Sequence, residues 1–304
     1  MKRISTIACI GECMVELSLG SNAAENCVLG FAGDTFNTAV YLKRAAGSQV
    51  EVSYVTAVGQ DALSDRMVNL FVEEQLNVDH VIRHPDRVPG LYAISTDSTG
   101  ERSFTYWRDQ AAAKTLFDAQ CEVDIEQLSA FDMIYFSAIT LAILSDEART
   151  RLLQWLPDYR RRGGLVAFDS NYRPKLWASQ EAARECVTLA WSTCDIALPS
   201  ADDEMDLFGD QSPRDVLSRI RGCGVQHGSL KNGETGPLLF DEGQTTGPLP
   251  KAGRVVDTTA AGDSFNGGYL AALAQGRSPG EAAVQGHTTA LHVIGHHGAI
   301  VPRQ

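Results

Sequence analysis

The sequence predicts an α/β fold: a mostly parallel central sheet flanked by helices, with a small β-sheet added to one side. Three observations carry this expectation. Beyond residue 130, short apolar runs alternate with helical segments, the pattern of a parallel sheet covered on both faces. Before that point, the runs 14–18 and 88–107 alternate apolar and polar positions, as strands with one wet face do. No linker, low-complexity tract or repeat divides the 304 residues, so one domain over 1–304 is expected, with a β lid built from about 12–31 and 87–110.

Taken in order, the chain opens on a strand-like run at 4–10, with no signal-peptide pattern. That run ends at Gly11-Glu12, and 14–18 follows as a half-exposed strand. Residues 35–46 form a predicted helix entered through Gly33-Asp34, and 61–75 an amphipathic one. Two strands, 88–96 and 102–107, flank a turn at Asp97-Ser98-Thr99-Gly100. Buried strands are expected at 133–136, 165–168, 196–198 and 237–240. Helices at 146–162 and 180–191 separate the first three, and one at 212–221 precedes the last. Pro157 predicts a kink in the 146–162 helix. A final apolar, Ala-rich helix begins near Gly262.

Composition narrows the partners. Apolar residues make up 44% of the chain, ample for a core, and the net charge is −12 with a pI near 5.0. Such a surface repels nucleic-acid backbones and anionic membranes, and no apolar stretch is long enough for a span. The seven cysteines form no Cys-x-x-Cys pair, which favours reduced thiols in a soluble, cytoplasmic protein. A polyanionic substrate would need local positive charge, so individual Arg and Lys residues carry weight.

The most informative stretch is Asp257-Thr258-Thr259-Ala260-Ala261-Gly262-Asp263. A small-residue turn leads into the apolar helix, with Asp263 in its first turn. A helix start offers unpaired N–H groups and partial positive charge, and so attracts an anion. A carboxylate in the same turn can take a proton from a hydroxyl held beside that anion. Together these are the requirements of phosphoryl transfer to an alcohol. An ordinary capped helix accounts for the same residues taken alone. Other segments have equally plain explanations: Gly33-Asp34-Thr35-Phe36-Asn37 as a helix cap, and Ser200 to Glu204 as an acidic helix start. His287, His292, His296 and His297 lack a nearby carboxylate, and a structural role is favoured over a metal site.

The 257–265 stretch resembles the C-terminal signature of the ribokinase-like (PfkB) family of carbohydrate kinases, with Ala260 where the family has Gly. Ala is accommodated there if φ is negative and strained if it is not. Lys231-Asn232-Gly233-Glu234-Thr235-Gly236 is similar to the family's nucleotide loop, and Asp169-Ser170-Asn171-Tyr172-Arg173 to a motif that its fructokinases share. The strings Gly11 to Ser18, Pro89 to Tyr92, Thr99 to Arg108 and Ala111 to Lys114 resemble the branch that phosphorylates 2-keto-3-deoxygluconate.

The resemblance implies a ribokinase-like fold with a β lid, and transfer of the γ-phosphoryl of MgATP to the C6 hydroxyl of that sugar acid. It implies Asp263 as base, with the N–H groups of Ala261, Gly262 and Asp263 at the Ala260 turn holding the developing charge. Gly33, Asp34, Asn37, Tyr92, Tyr106 and Asp257 would position the sugar, Arg108 its carboxylate, and Arg173 both substrate and transferred phosphate. Phe104, Tyr106 and Arg108 are expected on one strand face, with Trp107 on the other. Asn171, Arg173, Ser200, Lys231, Asn232, Gly233, Gly236, Ala260 and Gly262 would contact ATP, and Asp203 would hold Mg²⁺ through water. The alternatives are a kinase of fructose or of another ketodeoxy acid, and a catalytically inactive sugar-acid-binding regulator. Leu91, Ile94, Phe104 and Tyr106, in a sheet too small to bury them, predict a homo-oligomer through the lid.

Overall fold

A computed structural model describes residues 3–19, 27–96, 102–241 and 248–303. The predicted turn at 97–100 lies outside the described residues. The strands run in chain order β1 (Thr6–Ile10), β2 (Met14–Leu19), β3 (Val28–Ala32), β4 (Glu51–Val58), β5 (Val81–Arg83), β6 (Leu91–Thr96) and β7 (Arg102–Trp107). They continue with β8 (Met133–Ser137), β9 (Leu165–Asp169), β10 (Ile196–Ala197), β11 (His227–Leu230) and β12 (Leu238–Leu239). Eight of these form one sheet in the order β12-β11-β10-β9-β8-β1-β4-β5, parallel throughout except for the antiparallel β11–β12 edge. The other four form a separate sheet, β3-β2-β6-β7, in which only β2–β6 is parallel.

Period-two alternation divides the large sheet between two cores. Ala8, Ile10, Ile134, Phe136, Val166 and Phe168 face the helices Asp146–Arg161, Gln180–Ser192 and Pro213–Gly222. Ile7, Cys9, Met133, Tyr135 and Ala167 face the helices Asp34–Ala46, Ala62–Glu73, Ala261–Ala274 and Pro279–Ile294. The result is the three-layer arrangement expected of parallel strands buried on both faces. Among the described residues no helix is long and apolar enough to cross a membrane.

Two features set the position of the site. The strand order reverses between β8 and β1, and such a switch leaves a crevice at the carboxyl ends of the strands. The helix Ala261–Ala274 lies against both Asp34–Ala46 and Pro279–Ile294. It approaches the former at Gly267, where a Cβ would sit 2.7 Å from the Leu42 nitrogen. Only glycine permits that distance, which fixes the height of the helix start above the sheet.

Several expectations needed adjustment. The 237–240 run is a two-residue antiparallel edge and not a buried parallel strand. β4, buried at seven of its eight positions, and the short β5 and β11 were not among the expected strands. The helix Asp146–Arg161 continues past Pro157. Ile94 packs with Met14, Ala32, Tyr92 and Ala299 and is 8% exposed, so it contributes nothing to an outer surface.

Candidate active site

A cleft of about 940 Å³ opens at the β1/β8 switch, between the large sheet and the small one. Its floor is the start of the helix Ala261–Ala274. One end is walled by Met14, Tyr92, Phe104 and Tyr106 of the small sheet. The opposite end is formed by Ser200, Lys231, Asn232, Gly233, Pro237 and His287.

Asp263 is half-buried on this floor. Asn37 Nδ2 donates to its Oδ2 at 2.8 Å, and Thr38 Oγ1 donates to its backbone carbonyl at 3.2 Å. Two helix starts are thereby locked to one another. Burial pushes the Asp263 carboxyl up to about 7, and the negative charge of Asp34 adds to the effect, while Asn37 and Lys231 oppose it. A base poised near neutrality suits proton abstraction from an alcohol.

Asp34 begins the helix Asp34–Ala46 and accepts hydrogen bonds from Ser137 Oγ and from Asn171 Nδ2, the latter at 3.0 Å. Its carboxyl is raised first by burial and further by Asp169, with Ser137 and Asn171 lowering it. Ser137 and Asp169 end β8 and β9, so the carboxyl ends of the switch strands supply this part of the site. Gly33 enters the helix, and its N–H faces Asn37 Oδ1 at 3.4 Å.

Ala260 adopts φ +59° and ψ 16°, the left-handed conformation that costs an L-residue about 1–2 kcal/mol. The strained alternative weighed for this position is therefore the one present. The turn closes on itself: the Ala261 N–H donates to Thr258 O at 3.2 Å and the Ser264 N–H to Ala260 O at 2.8 Å. The Ala261 N–H is thus turned away from an incoming anion. The unpaired donors of the helix start that remain are those of Gly262 and Asp263.

Lys231 behaves differently from a surface cation. Its ammonium donates to Asp169 Oδ2 at 2.7 Å, Leu198 O at 2.6 Å and Asn266 Oδ1 at 3.1 Å. All three donors point inward, and the methylene stem borders the cleft beside Gly262. Asn266 also donates to Asp169 Oδ2 at 2.7 Å and to Tyr135 Oη at 3.1 Å. Arg173 remains half-exposed at the wall, bonded to Tyr172 O at 2.8 Å and facing Asp203 Oδ1 at 3.4 Å. Asp203 is raised by burial and by Asp169, while Arg173 and Lys231 lower it. Asp202 and Asp203 supply oxygen donors on this wall, and among the described residues no group of three or more metal-ligating side chains gathers there.

Most of the sequence-predicted residues meet in this cleft; three do not reach its wall. Gly236 lies behind Pro237. Asp257 accepts from the N–H groups of Thr259 and Gly298, each at 2.9 Å, and so holds two loops together. Arg108 lies one residue beyond β7 and turns to Glu12 instead of continuing the face of Phe104 and Tyr106. Conversely, Ser137, Asp169 and Asn266 had no assigned role. Asn266 carried a signal, as an amide one turn after Asp263 in an otherwise apolar helix. His287 lines the end formed by Ser200 and Lys231, its Nε2 bonded to Pro250 O at 2.9 Å.

The profile described as pfkB family carbohydrate kinase matches residues 5–304. The 2-dehydro-3-deoxygluconokinase of Escherichia coli K12 is 45% identical over 305 residues, covering 98% of this chain and 97% of the relative. Two solved structures share the fold. The 2-dehydro-3-deoxygluconokinase of Thermotoga maritima has a TM-score of 0.83 at 18% identity, covering 98% of this chain and 95% of its own. Aminoimidazole riboside kinase from Salmonella enterica, solved with aminoimidazole riboside and an ATP analogue, has a TM-score of 0.80 at 23% identity, with 97% and 94% covered.

Two predictions follow from this geometry. Asp263→Asn keeps the acceptor for Asn37 but removes the base, and turnover is expected to fall by about 10²–10⁴ while ATP still binds. In the wild-type protein kcat/KM should rise with pH through about 7 and then level. The folded state raises this carboxyl from 3.8 to about 7, so its contribution to stability is lost as pH rises across that window. The Asn variant should therefore melt higher than wild type at pH 8, with the gap closing toward pH 4; scanning calorimetry at both pH values checks the sign.

Ala260→Gly removes the left-handed strain, partly offset by glycine's larger unfolded-state entropy. The expected outcome is a melting temperature raised by roughly 2 °C with turnover retained. A lower melting temperature would contradict the left-handed turn.

Proposed function

This chain belongs to the pfkB family of carbohydrate kinases, and within it we propose that it transfers the γ-phosphoryl group of ATP to the C6 hydroxyl of 2-keto-3-deoxygluconate, giving 2-keto-3-deoxy-6-phosphogluconate and ADP. The carrying observation is identity of 45% over nearly the whole of both chains with a relative named for that kinase activity. The cleft supplies what the reaction needs, a base at its floor and a helix start beside it. A fructokinase and an inactive regulator are both disfavoured, the latter because Asp263 stands on the cleft floor.

The acceptor lies at the small-sheet end, where Tyr92 and Tyr106 line the wall and Asp34 and Asn37 offer polar contacts. Asp263 takes the C6 hydroxyl proton as the oxygen attacks the γ-phosphorus. The Gly262 and Asp263 N–H groups meet the negative charge that gathers on the transferred phosphoryl. Arg173, free to swing at the wall, follows the phosphoryl from donor to acceptor. The nucleotide occupies the end formed by Ser200, Asn232, Gly233 and the stem of Lys231; Gly233, with φ of +52° and open space at its Cα, lets the backbone approach it closely. Asp203 would hold Mg²⁺ through water, and the bound ion would screen the phosphate charge. Consumption of ATP supports a cytoplasmic location.

Arg108 is the anchor for the substrate carboxylate, which neutral sugars lack. Its position directly behind Met14 and Gly90 at the sugar end supports this role. The small sheet serves as the lid, and the exposed Phe104, Tyr106 and Trp107, at 43%, 50% and 59%, leave aromatic surface for pairing with a second copy.

A coupled assay with ATP across 2-keto-3-deoxygluconate, its galactonate-derived epimer and fructose tests the proposal; a higher kcat/KM on fructose would overturn it. Arg108→Ala should lower kcat/KM on the sugar acid by about 10- to 150-fold, from the loss of a charged hydrogen bond, with little effect on a neutral ketose. Light scattering at micromolar concentration should show a dimer; a strict monomer rules out the pairing and leaves the lid.

A further inference from the structure

At the end of β7 the Arg108 side chain turns away from the cleft, and its guanidinium donates to the carboxylate of Glu12. The pair is buried, with side-chain exposures of 11% and 1%. Neither residue belongs to the cleft wall, yet both lie immediately behind it. A Cβ at Gly90 would sit 2.7 Å from Glu12 Oε1 and 3.1 Å from both Arg108 Cβ and Met14 Cγ, and Met14 does line the cleft. Only glycine leaves room for this packing. Among the described residues Glu12 Oε1 and Arg108 Nε find no hydrogen-bond partner. A guanidinium presents donors in a planar fork that matches a carboxylate bidentately, and here the fork is engaged through one nitrogen. The contact is therefore incomplete on both sides.

We infer that Glu12 is the resting counter-ion of Arg108 and a specificity-determining residue, holding the guanidinium behind the cleft wall until the acceptor's carboxylate exchanges for it. The inference rests on the proposed role of Arg108 as carboxylate anchor. A guanidinium standing free in the cleft would attract any anion, the phosphates of ATP included. Paired with Glu12, it shows the cleft no net charge. A sugar acid offers the fork a complete bidentate partner in exchange for an incomplete one. A neutral sugar offers nothing to compensate for breaking the buried pair, so discrimination acquires a repulsive component.

Glu12 tolerates the exchange. Burial favours its neutral form, Arg108 is the strongest influence holding it charged, Asp34 acts with burial, and Lys114 acts with Arg108. Cys13 and Tyr54, the other titratable groups that sense this carboxylate, are themselves held neutral by burial. Departure of Arg108 removes the strongest influence lowering this carboxyl and so shifts it toward its neutral form.

Glu12→Gln keeps the shape of the side chain and an oxygen for Arg108 but removes the charge. Its KM for 2-keto-3-deoxygluconate is expected to fall about tenfold, the difference between a charged and a neutral hydrogen-bond partner. The kcat and the KM for ATP should hold, and gluconate should become a stronger competitive inhibitor. A residue that merely supports the fold would instead lower the melting temperature and kcat and leave that KM in place. Glu12→Asp, which keeps the charge but loosens the contact, should move KM in the same direction by less, and serves if the Gln protein does not fold. An unchanged or raised KM for the acid in the folded variant overturns the inference. Arg108→Ala in parallel separates the two failures. If it leaves the KM for the acid unchanged, the anchor role falls and the Glu12 inference with it; if it raises that KM while Glu12→Gln does not lower it, the inference alone falls.

Discussion

Lys231 reaches back from the end of β11 and sets its ammonium among a carboxylate at the end of β9, a carbonyl just beyond β10, and an amide on the helix that carries Asp263. A primary ammonium has three donors, and here each has one acceptor. Asp169 is buried at 2% exposure, and without this cation its charge would be uncompensated in the interior. Three consecutive positions of the large sheet are thereby tied to Asn266, one turn along the helix from Asp263. The height of Asp263 above the strand ends is fixed from below by this contact and from the side by Asn37. Every distance in the cleft is referred to that frame.

The frame also sets the electrostatics. Asp34, Asp169 and Asp263 gather around a floor whose only buried ammonium among the described residues is already matched to Asp169. Burial raises both remaining carboxylates, Asp169 raises both further, and Asp34 adds to the effect on Asp263. Ionising both at once is therefore unfavourable.

The general architecture was legible in the sequence because its signals are local. Alternation at 14–18 and 88–107 and the strand–helix rhythm after residue 130 correspond to elements that the structure contains. The floor of the cleft was legible because a small-residue turn before an apolar helix, with an acid in its first turn, is a compact pattern. What remained hidden depends on contacts between distant positions. Nothing near Lys231 indicates that its ammonium points inward, since its three acceptors come from residues 169, 198 and 266. Strand periodicity put Arg108 on the face of Tyr106, but the strand ends at Trp107, and a buried acid 96 positions earlier decides where the guanidinium goes. The sign of φ at Ala260 was likewise beyond reach of the residues alone. It follows from how the turn is closed by Thr258 and Ser264.

The small sheet joins the large one through very little chain. Three residues separate β1 from β2, and β3 passes through Gly33 alone into the helix Asp34–Ala46. That helix carries both Asp34 and Asn37, and Asn37 holds the carboxylate of Asp263. A displacement of the sheet is therefore a torque on the support of Asp263, with no slack loop to absorb it. The position of the small sheet and the alignment of Asp263 are therefore one mechanical quantity.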